Sequence, residues 1–148
     1  MVTELVDRDV VIPILNEILK AELSGVVRYT HYSLVITGPN RIPLVAFMQA
    51  QATESLLHAQ QAGELLTGLG GHPEAGIAPI EETHDHRVET VLREAIGHES
   101  RAIDLYRKLL TAVADRSIYL EEYSRTQIGA EEFHLIELSK LQRDYAID

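Results

Sequence analysis

Four long stretches of this chain carry apolar residues at three- and four-residue intervals, and no stretch alternates apolar with polar. Proline and glycine punctuate the gaps between them, at Gly38-Pro39-Asn40, at Gly68-Leu69-Gly70-Gly71, and at Pro73 and Pro79. The pattern predicts an all-helical chain. The first helix is placed at about Asp9 to Thr37, the second from about Pro43 to Gly68, the third from about His86 to Ala114, and the fourth from about Ser117 to the end. Their inward stripes contain Leu15, Ile18, Glu22 and Tyr29 on the first; Leu44, Phe47, Gln51, Glu54, His58, Gln61 and Leu65 on the second; Leu92, Ala95, Glu99 and Tyr106 on the third; and Gln127, Glu131, His134, Leu138 and Tyr145 on the fourth.

Connection lengths set the topology. The turns at 38–42 and at Asp115-Arg116 are short, which makes helices one and two, and helices three and four, antiparallel neighbours. The connection from Gly68 to Asp85 is long. About 17 residues at ~3.3 Å each reach about 55 Å, enough to run back along a helix of about 40 Å. The expected fold is an all-α four-helix bundle, two antiparallel hairpins joined by one long crossover, with residues 1–148 forming a single domain. The halves echo one another: Glu22 precedes Tyr29 by the same interval as Glu99 precedes Tyr106, and Glu22 to Glu54 and Glu99 to Glu131 are both 32 residues.

Each of the four stripes carries one glutamate near its middle, and two add a histidine one helical turn later. An unpaired buried carboxylate costs several kcal/mol, so four of them facing one core must take up protons or cations. Two divalent ions balance four carboxylates with no Lys or Arg on those stripes. Glu131-Glu132-Phe133-His134 places a carboxylate and an imidazole at i and i+3, on one face and able to meet one ion. Glu54-Ser55-Leu56-Leu57-His58 does so at i and i+4, with room for a local π-bulge. Carboxylate and imidazole together suit iron, manganese or zinc better than magnesium or calcium.

Composition narrows the partners. Against 13 Lys and Arg stand 23 Asp and Glu, a net charge of -10. A field of that sign repels phosphate backbones and anionic lipid, so neither nucleic acid nor a membrane is an expected partner. With no Cys, there is no disulfide or thiolate site. No run approaches the roughly 18 apolar residues of a membrane span, and Met1-Val-Thr-Glu4 lacks a basic leader, so a soluble, cytoplasmic protein is expected.

The segment Glu22-Leu23-Ser24-Gly25-Val26-Val27-Arg28-Tyr29, together with Glu54, His58, Glu99 and Glu131-x-x-His134, resembles the ferritin-like di-metal carboxylate proteins, most closely bacterioferritins. The resemblance covers about residues 10 to 145. It implies a centre of two iron ions with Glu54 and Glu131 as bridging or chelating carboxylates, Glu22 and Glu99 as terminal ones, and His58 and His134 supplying one imidazole per ion. It implies oxidation of Fe(II) with dioxygen or peroxide. The family's second helix carries Glu-x-x-His where this chain has Glu54-x-x-x-His58. Leu56 stands where the family has a haem-binding Met, so haem is not expected. The 14 residues after His134 leave no fifth helix, and a homodimer or small homo-oligomer is expected rather than a large cage.

Two other readings share the pattern: an oxidase, peroxidase or hydroxylase with a non-iron substrate held near Leu57 or Phe47, and a metal-free helical interaction module. Tyr29 and Tyr106 are read as hydroxyl partners of the carboxylates. Gln61 and Gln127 are expected to face water, His98 to point away from the site, and His31 to be exposed or at a subunit contact. His84-Asp85-His86 is read as an ordinary helix start.

Overall fold

The computed structural model describes residues 2–145, with side chains from 4 to 143. A single turn, α1 (Val2–Leu5), precedes four long helices: α2 (Arg8–Val35), α3 (Arg41–Gly68), α4 (Val88–Val113) and α5 (Ile118–Tyr145). Each expected helix is present, with ends displaced by a residue or two, and the stretch of the fourth expected beyond Tyr145 lies outside the described residues. Asp7 caps α2, accepting a hydrogen bond from the Asp9 amide at 3.1 Å. The Tyr145 side chain, assigned above to the inner stripe, lies outside the described residues. Among the described residues no helix is long and apolar enough to cross a membrane.

Helices α2 and α3 pack as one hairpin and α4 and α5 as the other, with α2 lying against α4. The segment between α3 and α4 runs back beside α2 in the direction α2 itself takes. Asn16 donates to the His72 carbonyl (3.1 Å) and accepts from the Glu74 amide (2.9 Å); higher up, the Ala78 amide donates to the Lys20 carbonyl (3.0 Å). These bonds satisfy backbone groups of a segment that has no helix or sheet of its own.

The interior is layered along the bundle axis. One end is an aliphatic cluster that includes Val11, Leu15, Ile18, Leu66, Leu109 and Val113. The other holds Ile36, Leu44, Met48, Val91, Leu92 and Leu138. Between them lies a belt of buried polar side chains, among them Glu22, Gln51, Ser55, His58, His98, Glu99, Gln127, Glu131 and His134. The apolar ends keep water from this belt, so charges inside it interact strongly and must find partners there.

The inner face of α3 differs from the expected stripe. Met48, Ser55, Ala62 and Leu66 are buried, while Phe47, Glu54 and Leu65 are only half-buried and Gln61 is exposed. No π-bulge occurs: α3 is a regular α-helix through Glu54 and His58.

Candidate metal centre

Side chains from all four long helices meet at the middle of the belt. From α3, His58 turns Nδ1 toward Glu131 Oε1 (3.2 Å) and Glu22 Oε2 (3.5 Å), and Nε2 toward Glu54 Oε1 (3.6 Å). From α5, His134 places Nδ1 3.3 Å from Glu131 Oε2 and Nε2 2.9 Å from Glu54 Oε2. Regular helical spacing suffices: i,i+4 on α3 and i,i+3 on α5 deliver a carboxylate and an imidazole to the same region.

Two trios emerge. Glu22, His58 and Glu131 form one; Glu99, Glu131 and His134 form the other, and in each the donor atoms lie within 4.8 Å of one another. Glu131 belongs to both. Glu54 faces both imidazoles and, at 37% exposure of its side chain, is the one member of the group reaching the surface; the other five are buried.

Tyrosines tie the carboxylates in place. Tyr29 of α2 donates its hydroxyl to Glu99 Oε1 of α4, and Tyr106 of α4 donates to Glu22 Oε1 of α2 at 3.2 Å. The two bonds are reciprocal, as the equal Glu-to-Tyr intervals require. Burial, reinforced by the neighbouring Glu99 and Glu22 charges, raises both phenols well above their ordinary range, so each stays a donor.

Charge is uneven. Burial raises Glu22 and Glu99, and the neighbouring Glu131 pushes both further up. Burial also disfavours the Glu131 anion, but hydrogen bonds from His134, His58 and Glu99 outweigh that and hold it well below the usual carboxylate range. Burial opposes protonation of His58, yet its hydrogen bonds to Glu131 and Glu22 push it up to about 10. His134 is raised against the same opposition by Glu131, through a hydrogen bond and through charge. Positive charge in this pocket is thus carried by protons on two imidazoles, both of them metal-binding groups when deprotonated.

Several neighbours differ from their expected positions. His98 belongs to neither trio, in keeping with the expectation that it points away from the site, but it is buried, with its ring edge-on to Tyr29 at 6.0 Å in the gap beside Gly25. Gln127 is buried too, donating to the exposed Gln61 at 3.4 Å, so only Gln61 faces water. Leu57 is exposed and Phe47 packs on the apolar cluster at one end. Ser55, missed by the periodicity, is buried where α3 nears Gly25.

A helical bundle whose core joins one glutamate from each of two helices to a Glu–His pair from each of the other two defines the di-metal carboxylate class of four-helix proteins. The chain belongs to the ferritin family: the ferritin-like domain matches residues 12–144. No curated protein sequence matches it. Among solved structures it is similar to a ferritin-like diiron-carboxylate protein from Bacillus anthracis (27% identity, TM-score 0.84, 95% of this chain and 96% of that one). A dodecameric thioferritin, the bacterioferritin-related protein of Bacteroides fragilis, shares the fold at 20% identity and TM-score 0.90, over 98% of this chain and 91% of its own. So does Desulfovibrio desulfuricans bacterioferritin, at 20% identity and TM-score 0.84, over 97% of this chain and 82% of its own.

Proposed function

We propose that the chain binds two iron ions through Glu22, Glu54, His58, Glu99, Glu131 and His134 and oxidises Fe(II) with dioxygen or peroxide, in iron handling or protection from oxidative stress. The observation that carries this reading is the sharing of Glu131 between two trios that each contain an imidazole. The donor set fits the ions: nitrogen and carboxylate oxygen in equal trios, four glutamates against two divalent charges, and no cysteine to favour a softer metal. When bound, the ions supply the redox chemistry.

The chain's own groups bind, orient and balance charge. Glu131, with one oxygen toward His58 and the other toward His134, would serve both ions, and Glu54, which faces both imidazoles, would do so from the side that meets solvent. Tyr29 and Tyr106 each hold one oxygen of Glu99 and Glu22, leaving the second oxygen of each carboxylate free to bind. Manganese or zinc fits the same donors, and haem is no part of this reading. Two features support iron over an organic substrate: Leu57 lies on the surface and Phe47 is taken up in packing. The Bacteroides fragilis relative is a dodecamer, which supports a homo-oligomer for this chain; a light-scattering mass equal to that of one chain would contradict it.

Anaerobic Fe(II) titration followed by exposure to air tests the reading. Wild type is expected to take up two Fe(II) per chain and then develop near-ultraviolet Fe(III) absorbance, whereas Glu131→Ala does neither. Uptake and oxidation by Glu131→Ala equal to wild type sink the proposal.

A further inference from the structure

On the outer side of α2, His31 lies nine residues beyond Glu22, two and a half turns along the helix and so on its opposite face. Its Nε2 is 2.7 Å from Glu82 Oε2, on the segment that runs back beside α2. The other oxygen of that carboxylate, Oε1, is 3.5 Å from His86 Nε2. The two imidazole rings stand 5.8 Å apart at an interplanar angle of 75°. One donor atom from each of His31, Glu82 and His86 falls within 4.8 Å of the others, the same closeness as in the two core trios.

We propose that His31, Glu82 and His86 form a separate, surface site for a divalent transition-metal ion. Two imidazoles and one carboxylate are the donors that zinc, iron or cobalt take in three-ligand sites with further positions left to water. The donor set favours these ions over magnesium and calcium, which prefer oxygen ligands.

The surrounding backbone is built to bring these groups together. His84 sits in the left-handed region at φ 56°, an uncommon conformation for a residue with a side chain. Its amide donates to Glu82 Oε1 at 2.7 Å, closing a turn that sets Glu82 and His86 on the same side of the chain. Asp85, between the histidines, is engaged elsewhere. It accepts from Arg87 and from Thr90 Oγ1 (2.9 Å) and so fixes the start of α4. His84-Asp85-His86 is therefore more than a helix start, and its metal partners are not one another: only His86 joins the cluster, with Glu82 and a histidine from α2. All three members are partly exposed, which makes the site open to exchange with solvent, and a cavity of about 340 Å³ adjoins it. An ion held there pins the segment before α4 to the outer face of α2.

Zinc(II) is the probe. After equilibrium dialysis, His86→Ala is expected to hold one zinc per chain fewer than wild type, by elemental analysis. In long-range proton–nitrogen spectra, zinc is expected to shift the His31 and His86 imidazoles of wild type together. Glu82→Gln, which keeps the side chain's shape, is expected to lose that joint shift. Equal zinc content in wild type and His86→Ala, with both imidazoles unmoved by zinc, overturns the proposal. Because His86 is remote from the core, that result leaves the iron reading untouched, and loss of core iron in Glu131→Ala leaves this one untouched.

Discussion

Tyr29 closes on Glu99 from a helix away, its phenol buried and its hydroxyl aimed at one carboxylate oxygen. Glu99 itself lies beside Glu131 and His134, one donor atom from each within 4.8 Å of the others. Removing a partner that orients a metal-binding carboxylate commonly costs 10–100-fold in affinity. Tyr29→Phe is therefore expected to weaken metal binding by about that factor while keeping the fold, as read by calorimetric titration. Affinity equal to wild type rules out an orienting role.

Gly25 is where α2 meets its neighbours most tightly. A Cβ there falls 2.8 Å from His98 Nε2 and 2.8 Å from Ser55 Oγ, with Ser55 Cβ at 3.3 Å. Gly25→Val is expected to destabilise the protein by about 1–3 kcal/mol through overpacking. Gly129, on α5, has open space around its Cβ position, and Gly129→Ala is expected to gain up to about 1 kcal/mol from helix propensity. Urea denaturation of the pair decides the matter; a stable Gly25→Val protein contradicts the close approach.

Burial, aided by the Arg28 and Arg101 charges, lowers His98 to about 4, against an opposing effect of Glu131. Its imidazole is neutral in the fold but takes a proton near pH 6.5 when unfolded. Unfolding therefore binds a proton, so this contribution to stability is complete above about pH 6.5 and is lost as pH falls toward 4. Between pH 7 and pH 5, wild type is expected to lose on the order of 1–2 kcal/mol more than His98→Gln. Parallel stability curves for the two proteins contradict a buried neutral imidazole.

The bundle and the meeting of six side chains could be read from the chain because the relevant signals are local and repeated. Each glutamate interrupts an otherwise apolar stripe, and the 32-residue spacing recurs in both hairpins. The inner face of α3 was less legible because that helix is apolar on several sides. Leu56 and Leu57 are exposed while Ser55 is buried, so hydrophobicity alone marks no unique face. Periodicity also says nothing about the segment before α4. The meeting of His31 with Glu82 and His86 depends on the left-handed turn at His84 and on bonds to Asn16 and Lys20, none of which leaves a periodic trace. The burial of His98 was missed for a related reason: adjacent residues on a helix diverge by about 100°, which separates His98 from Glu99 without sending it to the surface.

The sharing of Glu131 has an uneven result for the two halves of the chain. Glu99, Glu131 and His134 all come from the second hairpin, whereas Glu22 and His58 come from the first and borrow Glu131 across the divide. Loosening of the first hairpin dismantles one trio outright and leaves the other in outline. Loosening of the second hairpin does more, since it withdraws Glu131 from both trios at once, so the two groups look equivalent at rest but depend unequally on the two halves.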